Sequence, residues 1–245
     1  MIGFAAQLID GALGMAFGQI STTLLITMGV PPAAASAGVH TAETFTTAVS
    51  GISHVAHRNV DWQLFFRIAI PGILAGIIGA YVLTQVDAST AKPFVLAYLT
   101  SLGLYLFYRG VMHRHTERRP RIVEPLGAVG GFLDAAGGGG WGAIVTSNLL
   151  VQGSNPRKTI GTVNTAEFFL TVSISTTFLA TLTLAGSDEE QAFLIKAVAG
   201  LVVGGVLAAP FGARIAKRVN PDLLLTFVGA VLTLTSGYGL YRALS

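Results

Sequence analysis

The fold is decided by a stretch that occurs twice: DGALGMAFGQISTTLLITMGVPPAAASAGVHTAETFTT at residues 10–47 and DAAGGGGWGAIVTSNLLVQGSNPRKTIGTVNTAEFFLT at residues 134–171. At a shift of 124 positions the two copies align without a gap, and 15 of the 38 positions are identical. A shift of 128 continues the match through small residues four positions apart: Gly72, Gly76 and Ala80 align with Gly200, Gly204 and Ala208. The chain is therefore an internal duplication, with repeats at 1–121 and 122–245.

The composition indicates a membrane protein. Hydrophobic residues make up 52% of the 245 positions, charged residues 11%, and the mean hydropathy is +0.66. A soluble domain carries about a quarter charged residues, so this chain could not cover a globule with polar surface. Long apolar runs without alternation favour helices that cross a bilayer. We therefore predict an all-α, multi-pass membrane protein that forms one integral membrane domain.

Each repeat has the same predicted layout: a glycine-rich apolar segment followed by three apolar helices. The segments are 2–29, then about 33–57, 64–86 and 92–112 in the first repeat, and 122–153, then about 157–185, 191–213 and 222–241 in the second. If every segment crosses the bilayer, lysines and arginines divide nine to six between the two sides. If each glycine-rich segment is a re-entrant hairpin, they divide twelve to three, as the positive-inside rule requires.

The hairpin model has consequences for topology. Three crossings per repeat is an odd number, so the two repeats enter the membrane from opposite sides and form inverted repeats, a recurrent transporter architecture. The basic loops are then cytoplasmic, and the acidic loop at Asp188–Glu190 lies outside. The basic residues serve as topology signals, so no nucleic-acid partner is predicted.

Four carboxylates lie within apolar sequence, as two symmetric pairs: Asp10 with Asp134, and Glu43 with Glu167. Glu43 follows Pro32 by eleven residues, about 16 Å of helix, which is halfway across the hydrocarbon core. An ionisable group at this depth marks a functional site by default. Burial favours the neutral form of a carboxylic acid, so proton exchange during anion movement is the natural hypothesis for all four. The aspartates could instead cap the turns that follow them.

The glycine-rich turns at 11–18 and 137–142 could hold an anion, because turns that lead into helices present free N–H groups and a positive dipole end. The candidate substrate-binding residues are these turns and the polar neighbours of the glutamates: Gly14, Gly18, His40, Thr41, Gly138, Gly139, Gly140, Trp141, Asn164 and Thr165. Two alternatives stay open: the threonine hydroxyls could bond to their own helix, and His40, which symmetry sets opposite Asn164, could be structural.

These motifs resemble those of the TauE/SafE sulfite exporter family. The resemblance lies in residues 10–18, 29–38 and 58–62 of the first repeat and in residues 133–142 and 161–169 of the second. It implies export of sulfite or related sulfur oxyanions across a bacterial plasma membrane, with substrate roles at Gly137–Gly140 and Asn164–Glu167. The first repeat carries Leu13, Met15 and Ala16 where a glycine run is common.

We therefore predict first a secondary transporter of sulfite-like anions that works by alternating access. Alternatives are a transporter of another small anion, such as an organosulfonate or carboxylate, an anion channel, a membrane scaffold or an intramembrane enzyme. The absence of cysteine and of hydrolase, metalloprotease or nucleotide-binding motifs argues against an enzyme and predicts no metal and no cofactor. The expected partners are the substrate anion and the lipid bilayer, and a homodimer stays open.

Overall fold

The structure is a computed structural model that describes residues 2–13, 15–112, 120–182, 188–216 and 221–245. In these ranges the regular structure is entirely helical, so the predicted all-α class is confirmed. The helices are α1 (Ile2–Leu13), α2 (Phe17–Thr27), α3 (Pro32–Ala56), α4 (Trp62–Gln85), α5 (Ala88–Met112), α6 (Glu124–Gly137), α7 (Ser147–Val151), α8 (Pro156–Thr181), α9 (Asp188–Ala216) and α10 (Pro221–Leu244). A π-helical segment, Gly142–Thr146, leads into α7. Gly14 and the basic residues at 113–119 and 217–220 lie outside the described residues.

Local sequence signals define several helix ends. Asp61 caps α4 by accepting the backbone N–H groups of residues 63 and 64, and Asn155 caps α8 in the same way. Proline stands in the first turn of α3, α6 and α8, where its missing N–H removes no helical hydrogen bond. Gly29 and Gly153, at equivalent positions of the two repeats, follow α2 and α7 with positive φ values of 100° and 94°.

The glycine-rich segments contain only short helices. α1 and α2 have 12 and 11 residues, so each extends less than about 20 Å, too little for a hydrocarbon core of about 30 Å. α6 has 14 residues, and the π-helical segment and α7 have five each. The re-entrant and inverted arrangement of these segments stays a prediction.

Three helices of the described chain are long and apolar enough to cross a membrane by length and composition: α4, α5 and residues Ala192–Ala209 of α9. Their large apolar side chains point outward, as at Leu74, Ile78, Phe94 and Ile195, which are all more than half exposed. In a soluble protein such a surface would aggregate, whereas in a bilayer it contacts lipid. The central α3 and α8 are equally long but carry the polar residues of the candidate site.

Packing joins the two repeats throughout. α1 packs on α9 and α6 packs on α4, so the first helix of each repeat contacts the second long helix of the other one. α3 packs on α8, and α5 packs on α10, so equivalent helices also pair across the molecule. The site residues on α3 and α8 therefore face each other at the centre.

One end of the bundle gathers basic residues from both repeats. Arg157 donates to the Asn59 side chain at 2.6 Å, and Lys158 donates to the Arg58 carbonyl at 2.9 Å. Arg67 on α4 forms an exposed two-pronged ion pair with Glu124 at the start of α6, at 2.6 and 3.1 Å. The loop 57–61 and the start of α8 therefore lie at the same end of the molecule.

Candidate functional site

The turn of the second repeat is built by consecutive glycines. α6 ends at Gly137, and residues 138–140 all have positive φ, from 74° to 152°. Asp134 stabilises this turn twice, because its side-chain oxygen Oδ1 accepts the Trp141 N–H at 2.8 Å and its carbonyl accepts the Gly139 N–H at 2.7 Å. The capping role considered for Asp134 from the sequence is therefore present in the structure.

The turn of the first repeat is built differently at the equivalent residues. Ala16 takes the place of Gly140 and has a φ of 109°, a conformation that costs an L-amino acid energy. Asp10 interacts with the backbone of Phe17, the counterpart of Trp141. Gln7 donates weakly to Asp10 at 3.5 Å.

The two turns meet at the centre of the protein. A methyl group added at Gly139 would lie 2.7 Å from the Gln19 backbone nitrogen, and one added at Gly138 would collide with the Thr22 side chain. One added at Gly18 would lie 2.8 Å from Oε1 of Glu43 and 3.1 Å from the Gly139 Cα. Side chains are therefore excluded here, and the backbones of both turns approach each other beside Glu43.

The central glutamates are buried but incompletely hydrogen-bonded. Glu43 on α3 and Glu167 on α8 are 4% and 6% exposed, and Oε2 of each has no partner. The backbone of Gly18 interacts with the other oxygen of Glu43. A buried polar atom without a partner costs about 1–3 kcal/mol, so such atoms point to a proton, an ion or water that completes them in the working protein.

His40 joins the two repeats. Its Nε2 lies 3.0 Å from Oδ2 of Asp134, and its Nδ1 lies 2.8 Å from the Ser36 carbonyl. The carbonyl can only accept, so Nδ1 carries a proton, and a second proton must lie between Nε2 and Asp134 because two lone pairs would repel. His40 therefore shares a proton with Asp134 across the two repeats. Both side chains are buried, so this proton is shielded from solvent.

The other predicted binding residues differ in the hydrogen-bonding groups that remain free for a ligand. Asn164 is 1% exposed, and neither its amide nitrogen nor its amide oxygen has a partner, so it keeps both a donor and an acceptor. Thr41 and Thr165 donate to Ala37 and Gly161, each at 2.7 Å. Their hydroxyl protons are used within their own helices, which leaves only lone pairs for a ligand.

The sequence did not predict three residues of the site, which are Ser36, Tyr98 and Thr22. Ser36 donates to the Ala135 carbonyl at 2.9 Å, and its own carbonyl lies 2.8 Å from Nδ1 of His40. The spacing of four residues between Ser36 and His40, one helical turn, could have predicted this contact. Tyr98 on α5 donates to the Gly139 carbonyl at 3.2 Å, and Thr22 contacts the glycine turn. Nothing in the sequence distinguished Tyr98 or Thr22 from other polar residues of membrane helices.

The described side chains are equipped for small anions and protons. The unpartnered Asn164 amide and the two glutamates with unpartnered oxygens lie on α3 and α8, which pack together, whereas no lysine or arginine is among the described residues that are buried. No group of three or more His, Asp or Glu with metal-binding geometry occurs in the described parts of the chain.

Comparison with known proteins identifies the family of the chain. The chain matches the family of sulfite exporter TauE/SafE over residues 1–239. The chain belongs to the TauE/SafE family. It is 40% identical over 243 residues to the probable membrane transporter protein YtnM of Bacillus subtilis (strain 168), and the match covers 96% of this chain and 79% of that protein. No solved structure matches the chain. This TauE/SafE protein is therefore a membrane transporter.

Proposed function

We propose that this TauE/SafE protein exports sulfite or a related small sulfur oxyanion, in exchange with or together with protons, across a bacterial plasma membrane. The observation that carries the proposal is the meeting of the two turns beside Glu43, with Oε2 of both glutamates and the whole Asn164 amide left without partners. The Asn164 amide nitrogen can donate to an oxyanion, and the positive end of α2 favours a negative charge beside it without a buried cation.

The glutamates supply the coupling in this proposal. An ionised carboxylate would repel an anion at close range, so the anion enters while Glu43 and Glu167 are protonated. A proton leaves when the anion has gone. Asp134 has a structural role in this proposal, because its side-chain oxygens already contact the Trp141 N–H and Nε2 of His40. Asp10, held by the Phe17 backbone and Gln7, is its counterpart in the first repeat.

Inverted repeats are a recurrent basis of alternating access, and the basic residues support this arrangement. If both glycine-rich segments crossed the bilayer, Arg157 and Lys158 would face the side opposite to Arg58. Their hydrogen bonds to Asn59 and to the Arg58 carbonyl favour the hairpin model, in which these residues share the cytoplasmic side.

Flux measurements in liposomes test the proposal. The purified protein is reconstituted, the voltage is clamped to zero, and accumulation of radiolabelled sulfite is followed under an imposed pH gradient. Protein-free liposomes correct for diffusion of sulfur dioxide. We expect accumulation, because one pH unit supplies about 1.4 kcal/mol for each coupled proton, enough for a concentration ratio of about ten.

Other results would point elsewhere. Flux that follows voltage but shows no accumulation under the pH gradient would mean an anion channel. Accumulation of taurine or of a carboxylate without sulfite would keep the mechanism and change the substrate. Absence of flux for every anion tested would contradict the proposed function.

A further inference from the structure

A cavity of about 220 Å³ lies between α1, α2 and α9, apart from the meeting point of the two turns. Its lining includes Gly3, Met28, Lys196 and Gly200. Among the lining residues of α2, Ser21 lies farthest from the end of the helix near Met28. At about 30 Å³ for each water molecule, the cavity has room for about seven waters or for an anion of a few heavy atoms. In the proposed topology it opens toward the outside.

The cavity exists because α1 is displaced relative to its counterpart. In the second repeat, Gly127 of α6 packs on Ile68, so close that a methyl group there would lie 2.6 Å from the Ile68 carbonyl. In the repeat register, Ile68 corresponds to Lys196, yet Gly3 packs on Leu201, five residues further along α9. Five residues of helix are about 7.5 Å. The displacement leaves Lys196 uncovered.

A second difference keeps the space open. The Trp141 ring fills the position beside Gly72, where an added methyl group would lie 2.7 Å from it. At the equivalent Gly200 an added methyl group would meet nothing within 4 Å. Phe17, the counterpart of Trp141, lies instead against Gly205, at 3.3 Å from such a group.

The lining has the chemistry of a site for small anions. Ser21 is 1% exposed, and its hydroxyl has no hydrogen-bond partner, so the cavity wall contains a buried donor that a ligand could pair. Lys196 places an ammonium group at the exposed mouth, and none of the described lining residues is acidic. Leu24, Leu25 and Phe193 supply an apolar wall.

The cavity also lies beside the central site. Ser21 precedes Thr22, whose side chain contacts Gly138, and Gly18 is one turn earlier on α2, beside Glu43. An anion held at Ser21 would therefore be next to the turn that lines the central site.

We propose that this cavity is a second anion site, in which Lys196 attracts and Ser21 binds a small organic anion with a sulfonate or carboxylate head and a short apolar part. The inference rests on the proposed function, since it makes the cavity a vestibule on the path of the transported anion. It adds that the protein selects anions with a short carbon chain before they reach the turns.

Cysteine labelling tests the site without relying on transport. The chain contains no cysteine, so Ser21→Cys introduces the sole thiol. Its reaction rates with sulfonatoethyl and trimethylammonioethyl methanethiosulfonate are measured in proteoliposomes and divided by the rates of the two reagents with a free thiol. We expect a preference for the anionic reagent, and Lys196→Gln should lower that preference roughly tenfold, the lower range of electrostatic steering.

Two matched variants serve as controls. Lys92→Gln removes the same charge from α5, away from the cavity, and should leave the preference unchanged. Val145→Cys, at the position equivalent to Ser21, should not react, because Val145 packs against Gly130 of α6 in the closed half, whereas Ser21 lines the cavity. If Ser21→Cys reacts with neither reagent, or if Lys196→Gln and Lys92→Gln act alike, the anion site is contradicted.

Protection identifies the occupant. Methanesulfonate should slow labelling of Ser21→Cys, whereas dimethyl sulfone, which has nearly the same size but no charge, should not. Slowing by phosphatidylglycerol in the liposomes instead of by methanesulfonate would assign the cavity to a lipid and overturn the proposal. If labelling and protection occur but no anion is transported, the site stands and the proposed function fails.

Discussion

The two crevices that flank the central site are built from equivalent helices, but one is closed and the other is open. Between α4 and α6, the Trp141 ring covers Gly72, and Arg67 pairs with Glu124 at the end of the crevice. Between α1 and α9, Gly200 is uncovered, and the counterpart of Arg67 is the exposed Ile195. Two halves of shared ancestry thus adopt different packing in a single structure.

In the proposed transport cycle, the two halves of the chain exchange this difference. Interfaces between packed helices switch between discrete arrangements, and shifts of about one helical turn are a known step. α1 already lies about one turn further along α9 than α6 lies along α4. A transporter with inverted repeats reaches its opposite state when the halves exchange these positions.

The largest expected effect is loss of the closed crevice. Trp141 is fully buried and donates to the Val163 carbonyl at 3.2 Å, so Trp141→Ala should lower the free energy of unfolding by about 3–5 kcal/mol. Denaturant titration in detergent measures this. Trp141→Phe, which copies the first repeat, should retain more stability and make Val145→Cys reactive toward thiol reagents. An unreactive Val145→Cys in that background would mean that Trp141 does not keep the crevice closed.

A smaller loss is expected at the His40–Asp134 pair between the repeats. His40→Asn copies Asn164 of the second repeat and removes the imidazole partner of the buried Asp134 side chain, at a cost of about 1–3 kcal/mol. The double variant His40→Asn/Asp134→Asn removes both titratable partners and should recover part of this stability. Equal unfolding free energies for the single and double variants would contradict the pairing.

Opposite signs are expected at the two turns. Ala16→Gly relieves a positive φ and should raise the free energy of unfolding by about 1 kcal/mol. Gly140→Ala at the equivalent position should lower it, and the added methyl group would also collide with the Tyr98 hydroxyl. Ala42→Gly within α3 is the control, with an expected loss of about 1–2 kcal/mol from helix propensity and from the removal of a buried methyl group. A loss for Ala16→Gly as large as for the control would contradict the strain at Ala16.

The smallest effect on stability is expected at the Arg67–Glu124 pair. Both side chains are exposed, so Arg67→Gln should leave the thermal midpoint nearly unchanged. It should nevertheless increase the reactivity of Val145→Cys, because the pair joins α4 to α6 at the crevice end. No change in reactivity would limit this ion pair to a surface role.

The sequence predicted the all-α membrane class, because long apolar runs with few charges leave no other solution for the backbone. It also identified Asp134 as a candidate cap and both glutamates as buried polar residues. The sequence could not predict contacts between distant helices. The repeat symmetry predicted that His40 lies opposite Asn164, but it gave no indication that His40 binds Asp134. The open and closed crevices could not be predicted either, because the conformational state depends on packing between repeats whose local sequences are alike.

The most direct test of the account is proton-coupled flux through Glu43→Gln and Glu167→Gln. Both variants keep the shape of the side chain and remove its titration, so the protein should stay folded, as a thermal midpoint near that of the wild type would show. In liposomes with an imposed pH gradient, we expect sulfite accumulation to disappear in both, while exchange of sulfite at equal pH persists. Undiminished accumulation in both variants would contradict proton coupling through the central glutamates.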